Sequence, residues 1–189
     1  MRLFIAINLT EELRSKVASL QEVLRQSGAD VSWVGPGNVH LTLKFLGEVS
    51  GERAADVRST LRAALEGIPS FRMTLAGVGT FPARGAPRVV WVGTTEGSDG
   101  ATALYERVEG ALASSGFPPE GRAFQAHLTL GRVRGPRNRP ALIARVRELA
   151  GTTLGSMMVV AVELMQSELH PKGAIYTSIE TFSLGGGEG

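Results

Sequence analysis

The chain has 189 residues, no cysteine and a formal net charge of only +2. That length suits one domain, since compact domains run to roughly 100–150 residues, and 43% apolar against 20% charged residues is the balance of a folded globule rather than a disordered chain. Without cysteine there are no disulfides and no thiolate metal sites; no apolar run reaches the roughly 20 residues of a membrane-spanning helix, and MRLFIAINLTEELR lacks a secretory cleavage pattern, so an unexported, cytoplasmic protein is the expectation.

RLFIAINL has the length and residue types of a buried strand. Thr10 can cap the helix that follows, Glu11 and Glu12 complement its positive end, Leu13, Val17, Leu20 and Leu24 share one face, and Gly28 can close it. After the turn residues VGPGN comes VHLTLKFL. Here His40, Thr42 and Lys44 alternate with Leu41, Leu43 and Phe45, which is the period of a strand with one apolar face. Ser50 can cap a second helix with Val57, Leu61 and Leu65 on its buried side and Gly67 at its end. FRMTLAGV and RVVWVGT then read as strands separated by the loop GTFPARGAP.

The same order returns in the second half. A helix carries Leu104, Val108 and Leu112 and ends near Gly116; AFQAHLTLGRV reads as a strand; Asn138 and Pro140 can start a helix through Leu142, Val146 and Leu149; MMVVAVELM and GAIYTSIETF read as strands. The chain is therefore read as one bilobal domain over 1–184, with an internal repeat of roughly 10–95 and 98–184, and a flexible Gly-rich tail at 185–189. The expected fold is α+β: two antiparallel sheets related by a pseudo-two-fold axis around a central cleft, with helices outside. His170, ahead of Pro171, is expected in a loop.

Two of the three histidines, His40 and His127, lie in the same tetrapeptide, His-Leu-Thr-Leu. A lone strand histidine is more often structural than catalytic. Packing, however, explains the repeated leucines without explaining why His and Thr share the opposite face in both copies. Displacement at phosphorus needs one group to take a proton from the nucleophile and another to give one to the leaving oxygen. Imidazole, with an unperturbed pKa near 6.5, can do either. Residues i and i+2 of a strand lie roughly 6.5–7 Å apart on one face, so Thr42 and Thr129 can hydrogen-bond non-bridging oxygens while the histidines reach bridging ones. A zinc site is the competing reading, but there is no cysteine, no His-Glu-x-x-His and no carboxylate within either tetrapeptide. No Walker or dinucleotide-binding motif is present. Arg132, Arg134, Arg137, Arg139, Arg145 and Arg147 follow one another with no acidic residue before Glu148, which suits a polyanionic partner or, alternatively, a solvated loop and helix face.

On RLFIAINL, NVHLTLKFLGEV, PRVVWVG, AHLTLGRV and MQSELHPKGAIY the sequence resembles the 2H phosphoesterases, and among them the RNA 2',3'-cyclic phosphodiesterases, also called 2'-5' RNA ligases. The resemblance implies hydrolysis of RNA 2',3'-cyclic phosphate ends to 2'-phosphates with no cofactor and no metal, and the reverse 2'-5' ligation. It makes His40 the proton donor, His127 the proton acceptor, and Thr42, Thr129 and Arg132 phosphate ligands. RNA with a cyclic phosphate terminus is the expected partner, with no membrane, and a monomer is the expected state. Ala126 departs from the proline common before the second motif. A phosphodiesterase for small cyclic nucleotides or nucleotide-sugar cyclic phosphates and a non-catalytic RNA-end binding module remain the alternatives.

Overall fold

In the computed structural model, which describes residues 1–185, the chain runs β1 (Arg2–Asn8), α1 (Glu11–Arg25), β2 (Val31–Trp33), β3 (His40–Glu48), α2 (Gly51–Leu65), β4 (Phe71–Phe81), β5 (Val89–Thr94), α3 (Ser98–Ala113), β6 (His127–Val133), α4 (Arg139–Glu148), β7 (Thr153–Val159), β8 (Ala161–His170) and β9 (Gly173–Ser183). The strands pair antiparallel in a four-stranded sheet, ordered β3-β1-β8-β9, and a five-stranded sheet, ordered β2-β6-β5-β4-β7. The α+β architecture is the one expected.

The sheets do not divide along the two halves of the chain. The path β1-α1-β3-α2-β4 is traced again by β5-α3-β6-α4-β8, and in each case the last strand crosses into the sheet of the other half: β4 pairs with β5, and β8 with β1. The helices exchange likewise. Helices α2 and α3 touch each other and cover the four-stranded sheet, while α1 and α4 do the same for the five-stranded one. One continuous core follows, fed by Leu3, Ile5 and Ile7 of β1, the predicted leucine and valine faces of the helices, and Leu41, Leu43, Leu128 and Leu130 of the two HLTL strands.

Local signals account for most boundaries. Thr10 accepts from Leu13 N and Ser50 from Arg53 N, each supplying a partner to a helix amide that has none within the helix. Asn138 behaves differently. It precedes α4 with φ 53°, and its side chain donates to the Gly28 carbonyl at 3.2 Å instead of capping the helix. The run MMVVAVELM is two strands, not one: β7 ends at Val159 in one sheet and β8 begins at Ala161 in the other. Periodicity cannot see this crossing, because the apolar pattern continues through it. β2, three residues long, is too short to show a period in the sequence. His170 is the last paired residue of β8, opposite Gly173, and not a loop residue. Gly185, assigned to the tail by composition, is held by bonds to Ile68 and Ser70; the rest of the expected tail, 186–189, lies outside the described residues.

The strict alternation expected after His40 fails, and the failure matters. Ala6 pairs with Thr42 and Ile5 with Lys44, so Leu43 is an extra residue on β3, a β-bulge. Leu43 and Lys44 are consequently both buried, while Phe45 turns out to 62% exposure. β6 does the same: Trp91 pairs with Thr129 and Val90 with Gly131, leaving Leu130 as the extra residue. Leu130 and Gly131 are buried and Arg132 is exposed.

Candidate active site

Both tetrapeptides open onto one cleft of about 680 Å³. His40, Thr42, His127, Thr129 and Arg132 all line it, so the five residues singled out from the sequence are brought together. A residue five positions beyond a strand histidine belongs on the opposite face of a regular strand. The bulge at Leu130 supplies the one-residue shift that returns Arg132 to the side of His127 and Thr129. Its counterpart at Leu43 puts Phe45 on the side of His40 and Thr42. Equivalent positions of the two halves thus carry a cation and an exposed aromatic ring.

The two imidazoles are held by the same device. Nδ1 of His40 lies 2.7 Å from the Asn38 carbonyl, and Nδ1 of His127 lies 2.7 Å from the Gln125 carbonyl. A carbonyl can only accept, so each Nδ1 carries its hydrogen and each Nε2 is the nitrogen left for chemistry. A neutral ring so fixed is a base, and a protonated one an acid. Aromatic contacts fix the ring planes: His40 packs on Phe4 with centroids 4.8 Å apart and meets the edge of Tyr176 at 5.4 Å, and His127 stands perpendicular to Phe81 at 5.0 Å. Burial disfavours the charged form of His40 and holds its pKa below the ordinary 6.5, against a smaller opposing effect of the Asn38 hydrogen bond. Asn38 is itself anchored, its side chain donating to the Ala174 carbonyl at 2.8 Å.

Beneath the cleft, Lys44 and Glu109 form a buried ion pair at 2.6 Å. The Lys44 ammonium also donates to the Pro118 carbonyl at 3.0 Å, and the Glu109 carboxylate accepts from Glu120 N at 3.1 Å. The pair therefore ties the first HLTL strand and α3 to the segment leading into the second HLTL strand, from which Arg122, Phe124 and Gln125 reach the cleft. By strict alternation Lys44 belongs on the face of His40 and Thr42, and Phe45 in the core. The bulge reverses both assignments. Arg88, Arg122 and Tyr176 also line the cleft; isolated arginines among 17 gave no signal, and Tyr176 is known by its position alone. Among the described residues no group of three or more His, Cys, Asp or Glu side chains is placed to hold a metal ion, and no helix is long and apolar enough to cross a membrane.

A strand-borne His-x-Thr pair from each half of an antiparallel α+β fold, meeting over one cleft, defines the two-histidine phosphoesterase class. The chain belongs to the LigT-like phosphoesterase family, whose model matches it twice, over residues 7–91 and 92–176. It is 40% identical to the RNA 2',3'-cyclic phosphodiesterase of Methanothermobacter thermautotrophicus over 184 residues, covering 97% of this chain and 99% of that protein. The crystal structure of TT0787 of Thermus thermophilus superposes with a TM-score of 0.83 at 31% identity, covering all of both chains. E. coli LigT complexed with 3'-AMP gives 0.77 at 27% identity, covering 97% of each.

Proposed function

We propose that the protein opens 2',3'-cyclic phosphate ends of RNA to 2'-phosphomonoesters, with His40 as proton donor and His127 as proton acceptor. Water loses a proton to His127 Nε2 as its oxygen bonds to phosphorus; the bond from phosphorus to the 3' oxygen breaks, and His40 Nε2 protonates that oxygen. Thr42 and Thr129 donate to the non-bridging oxygens, and Arg132 balances their charge. The same groups in the same roles would serve 2'-5' ligation, an RNA 5' hydroxyl taking the place of water as the nucleophile and the 3' oxygen again leaving; exchanged roles would serve the reverse cleavage. The chemistry assigned to protein groups is complete without a metal, and both histidines come from one chain, so a monomer suffices.

The observation that carries this reading is the matched pair of Nδ1 bonds to backbone carbonyls on two histidines that share a cleft. A binding pocket needs cations, but it does not need two imidazoles each with Nε2 kept free. The RNA part rests on the name of the Methanothermobacter relative, on Arg88, Arg122 and Arg132 around the cleft and on the exposed ring of Phe45, against which a base can stack. Incubating an oligonucleotide ending in a 2',3'-cyclic phosphate and mapping the product end tests it. The expected product is a 2'-phosphate, lost in both His40→Ala and His127→Ala while the variants stay folded. A 3'-phosphate product would overturn the leaving-group assignment, and full activity in either variant would overturn the acid and base pair. Faster turnover of a cyclic mononucleotide than of the oligomer would move the substrate class to small cyclic nucleotides.

A further inference from the structure

We infer that Gln21, in the middle of α1, is a positioning residue that clamps the bulge of the second HLTL strand and so presents Arg132 to the substrate phosphate; the inference rests on the phosphodiesterase reading. Gln21 is 1% exposed, and the other buried residues of its helix, Leu13, Val17, Leu20 and Leu24, are all apolar. Its amide nitrogen donates to the carbonyl of Leu130, the bulged residue, at 2.9 Å and to the Val34 carbonyl at 2.7 Å. Both partners are acceptors, so the orientation of the amide is forced. Its oxygen is then left buried without a partner. An unpaired buried acceptor costs stability that an apolar residue at the same place would not forfeit. Core packing alone therefore does not account for glutamine here.

The two halves explain why a clamp is needed on this side. After the bulge of β3 stands Lys44, tied down by its own ion pair. After the bulge of β6 stands Gly131, where a Cβ would lie 2.6 Å from Val31 Cγ1 and 2.9 Å from the Trp33 ring. Because β2 occupies that space, the second bulge has no side chain of its own to hold it. Leu130 O instead receives Val34 N at 2.9 Å and the Gln21 amide. Losing the Gln21 bond frees the bulge to relax, and Arg132, two residues on, moves with it.

A double-mutant cycle of Gln21→Met and Arg132→Ala, on an oligonucleotide ending in a 2',3'-cyclic phosphate, tests this. Gln21→Met is expected to keep the circular dichroism of the wild type and to lose about 10-fold in kcat/KM, mostly in KM, with a shallower dependence on salt. In the Arg132→Ala background it should cost less than about 2-fold more, because its effect passes through Arg132. Wild-type kcat/KM in Gln21→Met, or losses that multiply, would overturn the inference. Gln21→Leu is the second apolar variant; if neither folds, Gln21 is a stability residue and the inference is wrong. If Arg132→Ala is itself silent, the phosphate role of Arg132 falls and this inference with it. An impaired Arg132→Ala beside an unimpaired Gln21→Met removes this inference alone.

Discussion

His40 and His127 occupy matching places on matching strands, yet their surroundings set them apart. His40 is pressed between Phe4 and Tyr176 and loses part of its hydration, which depresses its pKa below 6.5. As the proposed proton donor His40 must be charged to act, and the charged fraction in the free protein falls as pH rises through that lowered value. The His40 ring of the free protein should therefore titrate below 6.5, and its pKa should move upward in the complex because a bound phosphate anion favours the imidazolium. An NMR titration of the His40 ring checks this; a ring titrating above 6.5 in the free protein contradicts it. In the proposed reaction Thr42 and Thr129 would donate to oxygens whose charge grows in the transition state. Their alanine variants should each lose about 2–4 kcal/mol of transition-state stabilisation, by the measure of a removed oxyanion donor, read as a fall in kcat/KM without a change in fold.

At the scale of elements, a bulged strand and a buried ion pair do the placing. The bulges let the HLTL strands seat two leucines each in the core and still return a residue to the cleft. Lys44 and Glu109 are 2% and 9% exposed at the side chain, so neither charge has water to fall back on. Lys44→Met or Glu109→Leu alone should destabilise the protein by about 3–5 kcal/mol, since the remaining charge is left buried and unpaired. The double replacement should recover most of that loss, as apolar pairs of similar volume often match a buried ion pair. Urea unfolding of the three variants distinguishes this from simple additivity.

Over the whole molecule, the cleft is a seam between interlocked halves, lined by the cations of Arg88, Arg122 and Arg132 and by the carboxylate of Glu120. Arg88, Arg122 and Arg132 reach it without a carboxylate partner among the described residues. Binding of an oligonucleotide should therefore weaken with salt more steeply than binding of a cyclic mononucleotide, and Arg132→Ala should lower the slope by about one phosphate contact. Identical slopes for the two substrates would count against an extended contact. Treatment with EDTA should leave the rate unchanged.

Much of this protein is determined by local chemistry that one sequence displays. Caps at Thr10 and Ser50, apolar faces repeating at helical spacing, and the twice-used HLTL strand identify the helices, most strands and the residues of the cleft. Each depends on contacts a few residues apart. What the tertiary structure alone decided are the relations without a local signature: the crossing at Val160 that sends β7 and β8 to different sheets, the exchange of β4 and β8 between halves, and the bulges at Leu43 and Leu130. A bulge is defined by what stands opposite on the neighbouring strand, and a neighbouring strand is far away in sequence. For that reason the chain announced His40 and His127 by itself, while the faces of Lys44, Phe45 and Arg132 were settled by the strands beside them.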